Sequence, residues 1–349
     1  MSLQNLLMLR FDEGEITMTS IQAAQKTMTL IGAVNEALHL ILERDERAIV
    51  LGEDVGVNGG VFRATEGLFE RFGGQRVIDT PLGESGFVGA AIGMAAAGLK
   101  PIVEIQFLGF IYPAFEQIVS HAARLRVRSQ GRFSVPIVIR APYGAGVRAP
   151  EIHSDSTEAF FVHMPGLKVA VPSTPADAKG LLLAAYEDPD PVIFLEPMRL
   201  YRSARGEVPP GWAPVPLGRA RLVREGEDVT VIAWGAMVPV AEQASRMAAE
   251  AGIDVELLDL RTLYPLDRQA IARSVEKTGR AVIVQEAHDT LGVASHIVAI
   301  IQDDAFYAQK APPRRVSGFD VPVPLMAYED LYLPTPEKVL AAVREVMAG

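Results

Sequence analysis

Short β-branched, apolar runs alternate with helical patterns along almost the whole chain, and this alternation limits what the sequence can become. The runs Ala48–Leu51, Val77–Asp79, Pro101–Ile105, Pro136–Arg140, Leu167–Val171 and Val192–Leu195 read as buried strands. Helical patterns at Phe87–Gly98, Ala114–Arg128 and Pro175–Tyr186 lie between them. Strands that are apolar at nearly every position need cover on both faces, which predicts a parallel sheet with helices on each side. Thr29 can cap the first helix, where Leu30, Val34, Ala37, Leu38 and Ile41 fall on one face.

The alternation breaks once. Gly206 to Gly218 holds four prolines and three glycines in thirteen residues. Such a stretch is expected to propagate neither helix nor ladder and to act as a linker. Beyond it, strands at Val229–Trp234, Asp254–Leu260 and Ala281–Glu286 alternate with helices from Pro239, from Asp267, near Val293 and from Pro336. The expected organisation is α/β throughout, in two doubly wound domains at 28–205 and 219–349 joined by the linker 206–218. Residues 1–27 are polar and read as an extension, mobile or laid on a partner surface, with a second plausible start at Met28.

Composition removes several functions. The 349 residues carry 33 Lys+Arg against 43 Asp+Glu, a net charge of −10, with no basic block. Such a chain is a poor partner for nucleic acid or an anionic membrane. There is no Cys, which excludes disulfides, thiol nucleophiles and Cys-ligated metal centres. The longest uncharged Gly/Ala-rich run, Ser85 to Leu99, spans 15 residues, short of the roughly 20 that cross a bilayer. No leader resembling a signal peptide is visible. A cytoplasmic protein is expected.

In open α/β sheets ligands bind beyond the carboxyl ends of the strands, so polar residues just after strands are the first candidates. Glu53 and Asp54 follow the first strand, where they serve a site or cap a turn. Glu84 opens a helix in which Gly86, Gly89 and Gly93 recur at helical spacing. Each glycine costs about 1 kcal/mol against Ala, so a close neighbour is expected on that face. Glu84 is then either a first-turn acid favoured by the helix dipole or a carboxylate tuned by a crowded site. His153 lies in the polar loop Ala149-Pro-Glu-Ile-His153-Ser-Asp-Ser after strand 136–140, as a substrate-facing group or a solvated loop histidine. No histidine pair has metal-binding spacing. There is no G-x-G-x-x-G after a first strand, no Walker loop and no Gly-Asp-Gly. A phosphorylated cofactor would therefore take most of its phosphate grip from another polypeptide.

Assembled, these segments resemble the β subunit of the thiamine-diphosphate-dependent decarboxylase component of 2-oxo acid dehydrogenase complexes. The carrying stretches include Leu51-Gly-Glu-Asp-Val-Gly, Asp79-Thr-Pro-Leu-Gly-Glu84, Ile111-Tyr-Pro-Ala-Phe-Glu-Gln-Ile-Val, Pro165-Gly-Leu-Lys-Val, Asp190-Pro-Val-Ile-Phe-Leu-Glu-Pro, Leu258-Asp-Leu-Arg-Thr-Leu and Arg315-Val-Ser-Gly-Phe-Asp. They run in order from residue 29 to the C-terminus. Gln106-Phe, Phe110-Ile-Tyr-Pro-Ala-Phe-Glu-Gln, Glu158-Ala-Phe-Phe and Glu196-Pro-Met-Arg look closer to the branched-chain type.

The resemblance implies a transketolase-like pyrimidine-binding domain, a transketolase C-terminal-like domain and an α2β2 heterotetramer. It implies thiamine diphosphate at the α–β interface, with its diphosphate and Mg2+ held by the α subunit. A 2-oxo acid is the implied substrate, and the lipoyl domain of a dihydrolipoyl acyltransferase core is the implied acyl acceptor. Glu84 matches the glutamate that hydrogen-bonds N1′ of the aminopyrimidine and favours its imino tautomer. Phe110 matches the aromatic against the pyrimidine, and Glu53 with Asp54 matches acids near the passage between paired cofactors. His153 matches the histidine near the substrate carboxylate and the incoming lipoyl group, with Asp155 where the family usually has Gln. A structural K+ site formed largely by main-chain oxygens maps onto Ile137, Ala185, Asp188 and Asp190, near Tyr186. The other readings are a pyruvate or acetoin enzyme, a silent scaffold subunit, and a split transketolase-like protein, for which no basic surplus at the site is visible.

Overall fold

The computed structural model describes residues 25–349. Residues 1–24, most of the expected extension, lie outside the described residues. The first half contributes strands β1 (Lys26–Thr29), β2 (Ala48–Gly52), β3 (Val77–Asp79), β4 (Lys100–Glu104), β5 (Val138–Tyr143), β6 (Lys168–Ala170), β7 (Val192–Pro197) and β8 (Arg205–Val208). The second half contributes β9 (Arg221–Arg224), β10 (Val229–Ala233), β11 (Val255–Asp259), β12 (Thr262–Tyr264), β13 (Ala281–His288) and β14 (Arg314–Gly318).

Strand β2 shows why the first sheet is buried on both faces. Successive side chains point to opposite sides: Ala48 and Val50 enter one core, Ile49 and Leu51 the other. Val192 and Phe194 of β7 divide from Ile193 and Leu195 in the same way. Helices Leu30–Arg44 and Pro175–Glu187 pack together over the first face. The former starts at Thr29, whose hydroxyl accepts the Gly32 N–H at 3.2 Å, a cap worth about 1 kcal/mol. Helix Glu84–Ala96 covers the opposite face with Phe87, Val88, Ala91, Ile92 and Ala95.

The first sheet runs β12-β6-β7-β5-β4-β2-β3 and the second β14-β13-β10-β11-β9. Both are parallel except for one antiparallel edge strand each, β12 against β6 and β9 against β11. Strand β12 comes from the second half of the chain, so the second half completes the first half's sheet. Around that junction Arg261 pairs with Asp177 at 2.7 Å and Arg221 with Asp259 at 3.0 Å.

Three expectations need correction. The stretch 206–218 does carry a ladder at its start, because β8 pairs antiparallel with β1, Lys26 opposite Val208 and Thr29 opposite Arg205. Beyond the prolines, Val215 donates its N–H to Gly180 O at 2.9 Å, which ties the segment to helix Pro175–Glu187. The helix expected at Ala114–Arg128 is not continuous: a 3₁₀ stretch Leu108–Ala114 ends where it was to begin, and one π-helical turn Gln117–Ala122 and a short α turn Leu125–Arg128 follow. The segment packs over helix Glu84–Ala96, and the π-helical turn interrupts the regular α ladder there. Among the described residues, the close neighbour expected along the glycine face exists at Gly89, against Gln117, while a Cβ at Gly86 or Gly93 would meet none of them. Among the described residues, no helix is long and apolar enough to cross a membrane.

Candidate active site

The sequence-predicted acids meet beyond the carboxyl ends of β2 and β3. Glu53 follows β2, Glu84 opens helix Glu84–Ala96, and both are buried. Gly83 donates its N–H to Glu53 Oε1 at 3.3 Å, which draws the two carboxylates together. Burial first, then the charge of Glu84, push the Glu53 carboxyl above its ordinary range. Among the described residues the Glu84 carboxylate has no hydrogen-bond partner. The loop after β2 is tied down by Asp79, which accepts Gly56 N–H at 2.6 Å and Val57 N–H at 3.3 Å. Gln106 donates to Asp54 at 3.2 Å.

His153 sits in an aromatic setting. Its ring lies 4.5 Å from Phe107 and 5.0 Å from Phe110, centroid to centroid, both edge to face. Phe62 extends the wall at 5.4 Å from Phe107. The His153 Nδ1 atom is buried with no partner. This approach depends on Gly109, where any Cβ would run into the carbonyl oxygen of Ile152. The segment 108–114 that carries Phe110 also packs on helix Glu84–Ala96. The Glu53–Glu84 and Phe110–His153 groups are thereby joined through one helix face. Asp155 is engaged by the Tyr112 hydroxyl, which donates to it. Burial and then that bond push Tyr112 up to about 12, and burial pushes Asp155 up as well.

Several groups around the site were not singled out from the sequence. Arg140 of β5 is fully buried and donates to Glu196 at 2.6 and 2.9 Å and to Glu104 at 2.7 Å, while Tyr201 donates to Glu196 at 2.6 Å. Burial alone would lower Arg140, but Glu196 and Glu104 hold its guanidinium charged. Removing one partner of such a buried pair typically costs about 3–5 kcal/mol. Tyr201 stacks on Phe62 at 5.2 Å, which connects this network to the aromatic wall.

On the side of the second half, Trp234 donates to Glu158 at 3.2 Å, and the other Glu158 oxygen is buried without a partner. Burial, then Glu158, push Glu286 up to about 8, while the Ala145 N–H pulls it down. A lone charge inside an otherwise apolar strand was the available signal for Glu104, Arg140, Glu196 and Glu286; Glu158, Tyr201 and Trp234 carried none.

The residues matched to a cation site gather at the opposite, amino end of the first sheet. Asp188 accepts Lys168 Nζ at 2.6 Å, and Asp190 accepts Arg126 at 2.6 Å. Their carboxylates are thus already neutralised. The carbonyl of Ile137 accepts Val192 N–H at 3.0 Å and that of Ala185 accepts Asp188 N–H at 3.3 Å, each keeping a second lone pair.

Residues 26–204 match the transketolase pyrimidine-binding domain and residues 218–339 the transketolase C-terminal domain. The chain is 50% identical over 319 residues to the pyruvate dehydrogenase E1 component subunit beta of Acholeplasma laidlawii, covering 91% of this chain and 98% of that protein. It is 48% identical over 332 residues to the mitochondrial 2-oxoisovalerate dehydrogenase subunit beta 2 of Arabidopsis thaliana, covering 95% and 92%. It is 47% identical over 337 residues to the 2-oxoisovalerate dehydrogenase subunit beta of Pseudomonas aeruginosa, covering 92% and 95%. Among solved structures, a split-gene transketolase described as an inactive β4 tetramer matches with a TM-score of 0.75 at 24% identity, covering 92% of this chain and 98% of that one. That likeness concerns the fold.

Proposed function

Since the chain belongs to the E1 β subunits of the thiamine-diphosphate-dependent 2-oxo acid dehydrogenases, which work with an α subunit, we propose that it serves a branched-chain 2-oxo acid dehydrogenase of the cytoplasm. In this reading it assembles with its partner as α2β2 and passes the acyl group to the lipoyl domain of an acyltransferase core. The observation that carries the reading is the His153 Nδ1, buried and unpartnered beside Phe110, whose segment packs on the helix that Glu84 opens. A polar atom left without a partner inside a protein needs a ligand to satisfy it.

Bound thiamine diphosphate supplies the electron sink for decarboxylation. Glu84 would hold a proton at the N1′ ring nitrogen, and Phe110 would line the pyrimidine's place. Glu53, which takes a proton more readily than an ordinary carboxyl, limits repulsion beside Glu84. Phe62 and Phe107 keep water from His153, which faces the substrate carboxylate and then the lipoyl group. The diphosphate and Mg2+ fall to the α subunit, since this chain has no Gly-Asp-Gly.

The apolar wall of Phe62, Phe107 and Phe110 favours a branched aliphatic acyl group over a methyl group. Near-equal identity to pyruvate and 2-oxoisovalerate relatives keeps pyruvate as the second reading. The α2β2 enzyme is expected to prefer 3-methyl-2-oxobutanoate over pyruvate by at least about tenfold in kcat/KM, while the isolated chain decarboxylates neither. Preference for pyruvate would reverse the assignment, and robust turnover by the single subunit would remove the two-subunit reading.

A structural potassium ion near helix Pro175–Glu187 would be held by the main-chain oxygens of Ile137, Ala185, Asp188 and Asp190. Their carboxylates being paired, they add little. Potassium chloride is then expected to raise Tm by about 2–4 °C over choline chloride at equal ionic strength. Identical midpoints would argue against the ion.

A further inference from the structure

The loop that carries His153 begins at Gly144, and its first amides are held by the other half of the molecule. Ala145 donates its N–H to the Glu286 carboxylate at the end of β13, and Ser156 donates its hydroxyl to the same oxygen at 3.4 Å. Gly146 donates its N–H to Glu329, and the Arg148 N–H reaches the same oxygen at 3.4 Å. Arg148 is itself in the left-handed region at φ 58°, a conformation costing roughly 1–3 kcal/mol that persists only where the surroundings enforce it. Its guanidinium donates to Asp330 at 3.2 Å.

The base of the loop is closed by Gly144 N–H to Asp155 O at 3.0 Å. Gly144 has φ 88°, and any Cβ there would strike the Glu286 carboxylate. Ala145 packs into a small apolar cluster with Val323, Tyr332 and Leu333 of the second half. Glu329 is fully buried and Glu286 nearly so. A buried carboxylate is expensive unless it does something that an apolar residue cannot. Here two of them, both distant in sequence, accept main-chain N–H groups of one loop.

We propose that Glu286 and Glu329 are positioning residues: the C-terminal unit grips residues 144–157 through them and so sets His153 against Phe107 and Phe110. The inference rests on the reading of His153 given above. It extends that reading by making the C-terminal unit part of the acyl-transfer apparatus, although it supplies no group to the pyrimidine.

The test uses the α2β2 holoenzyme carrying Glu329→Ala, Glu329→Gln, His153→Ala, or the Glu329→Ala/His153→Ala pair. Acyl transfer to free lipoyl domain and decarboxylation with an artificial electron acceptor are measured side by side. Glu329→Ala is expected to slow transfer about tenfold, the scale of a lost charged hydrogen bond, and to slow it more than decarboxylation. Glu329→Gln, which keeps an acceptor oxygen, recovers most of that loss. In the His153→Ala background Glu329→Ala adds nothing further, since both act through one group. Amide hydrogen exchange at Gly146 and Arg148 rises in Glu329→Ala.

Equal losses in the two assays, additive losses in the double variant, or unchanged exchange at these amides would overturn the proposal while His153→Ala still shows its selective defect. If His153→Ala shows no defect, the reading of His153 fails, and the inference falls with it. Should Glu329→Ala fail to assemble, Glu286→Leu and Glu329→Leu, which fill the space but accept no hydrogen bond, are read by the same assays and exchange sites. A selective transfer loss supports the grip, and wild-type behaviour in both removes it.

Discussion

Replacing Glu84 by glutamine is expected to abolish most 2-oxo acid decarboxylation while leaving the fold and cofactor binding in place. The substitution preserves shape but removes the carboxylate that would hold a proton at the pyrimidine. General acid–base contributions of this kind are typically about 10²–10⁴-fold. Glu84 is buried at the first turn of its helix with Glu53 beside it, so the change also relieves a like-charge contact. Stability should therefore hold or rise slightly. The measurement is kcat in the α2β2 assembly, with cofactor affinity by titration and the melting midpoint as controls. Near-normal turnover would leave Glu84 as a helix-start acid and nothing more.

The His153→Ala enzyme is expected to separate two activities that a structural defect would lower together. Cofactor binding and proton exchange at the cofactor's reactive carbon should survive. Transfer to the lipoyl domain should fall more than decarboxylation read with an artificial electron acceptor. The motive is geometric: the ring packs edge to face on both Phe107 and Phe110, with Nδ1 buried and unpartnered. A solvated loop histidine would instead change stability by no more than about 0.5 kcal/mol and leave both rates alone. Collapse of cofactor binding would assign His153 a different role, as part of the pyrimidine pocket.

The two-layered cores were legible because burial leaves a residue-by-residue mark. Ala48, Ile49, Val50 and Leu51 are all apolar, and only a strand covered on both faces explains that. The break within Ala114–Arg128 was not legible. Its apolar spacing fits one helix, and only its packing over helix Glu84–Ala96 divides it into a π-helical turn and a short α turn. The ladder at Gly206–Val208 was missed for a related reason: its partner, β1, lies at the other end of the domain. Glycine and proline content measures local preference, and a distant strand can override it.

Glu84, Glu53 and His153 were legible as candidates because parallel α/β sheets gather ligands beyond the carboxyl ends of their strands, and all three follow strands in sequence. Arg140, Glu286 and Glu329 were not, although the last two hold the His153 loop. Their partners are main-chain N–H groups and charges on other segments, which carry no pattern along the chain.

The sequence by itself determined the two α/β units, the burial of the central strands on both faces, the positions of the polar residues after strands, and the lack of a diphosphate motif. Each of these follows from local periodicity or from the presence or absence of a short motif. The tertiary structure alone decided that β12 of the second half completes the first sheet. It also decided that His153 packs against two phenylalanines at all, and that the second half's carboxylates pin its loop. Those contacts join segments far apart along the chain, and their formation depends on how whole helices and sheets pack, which no window of neighbouring residues encodes.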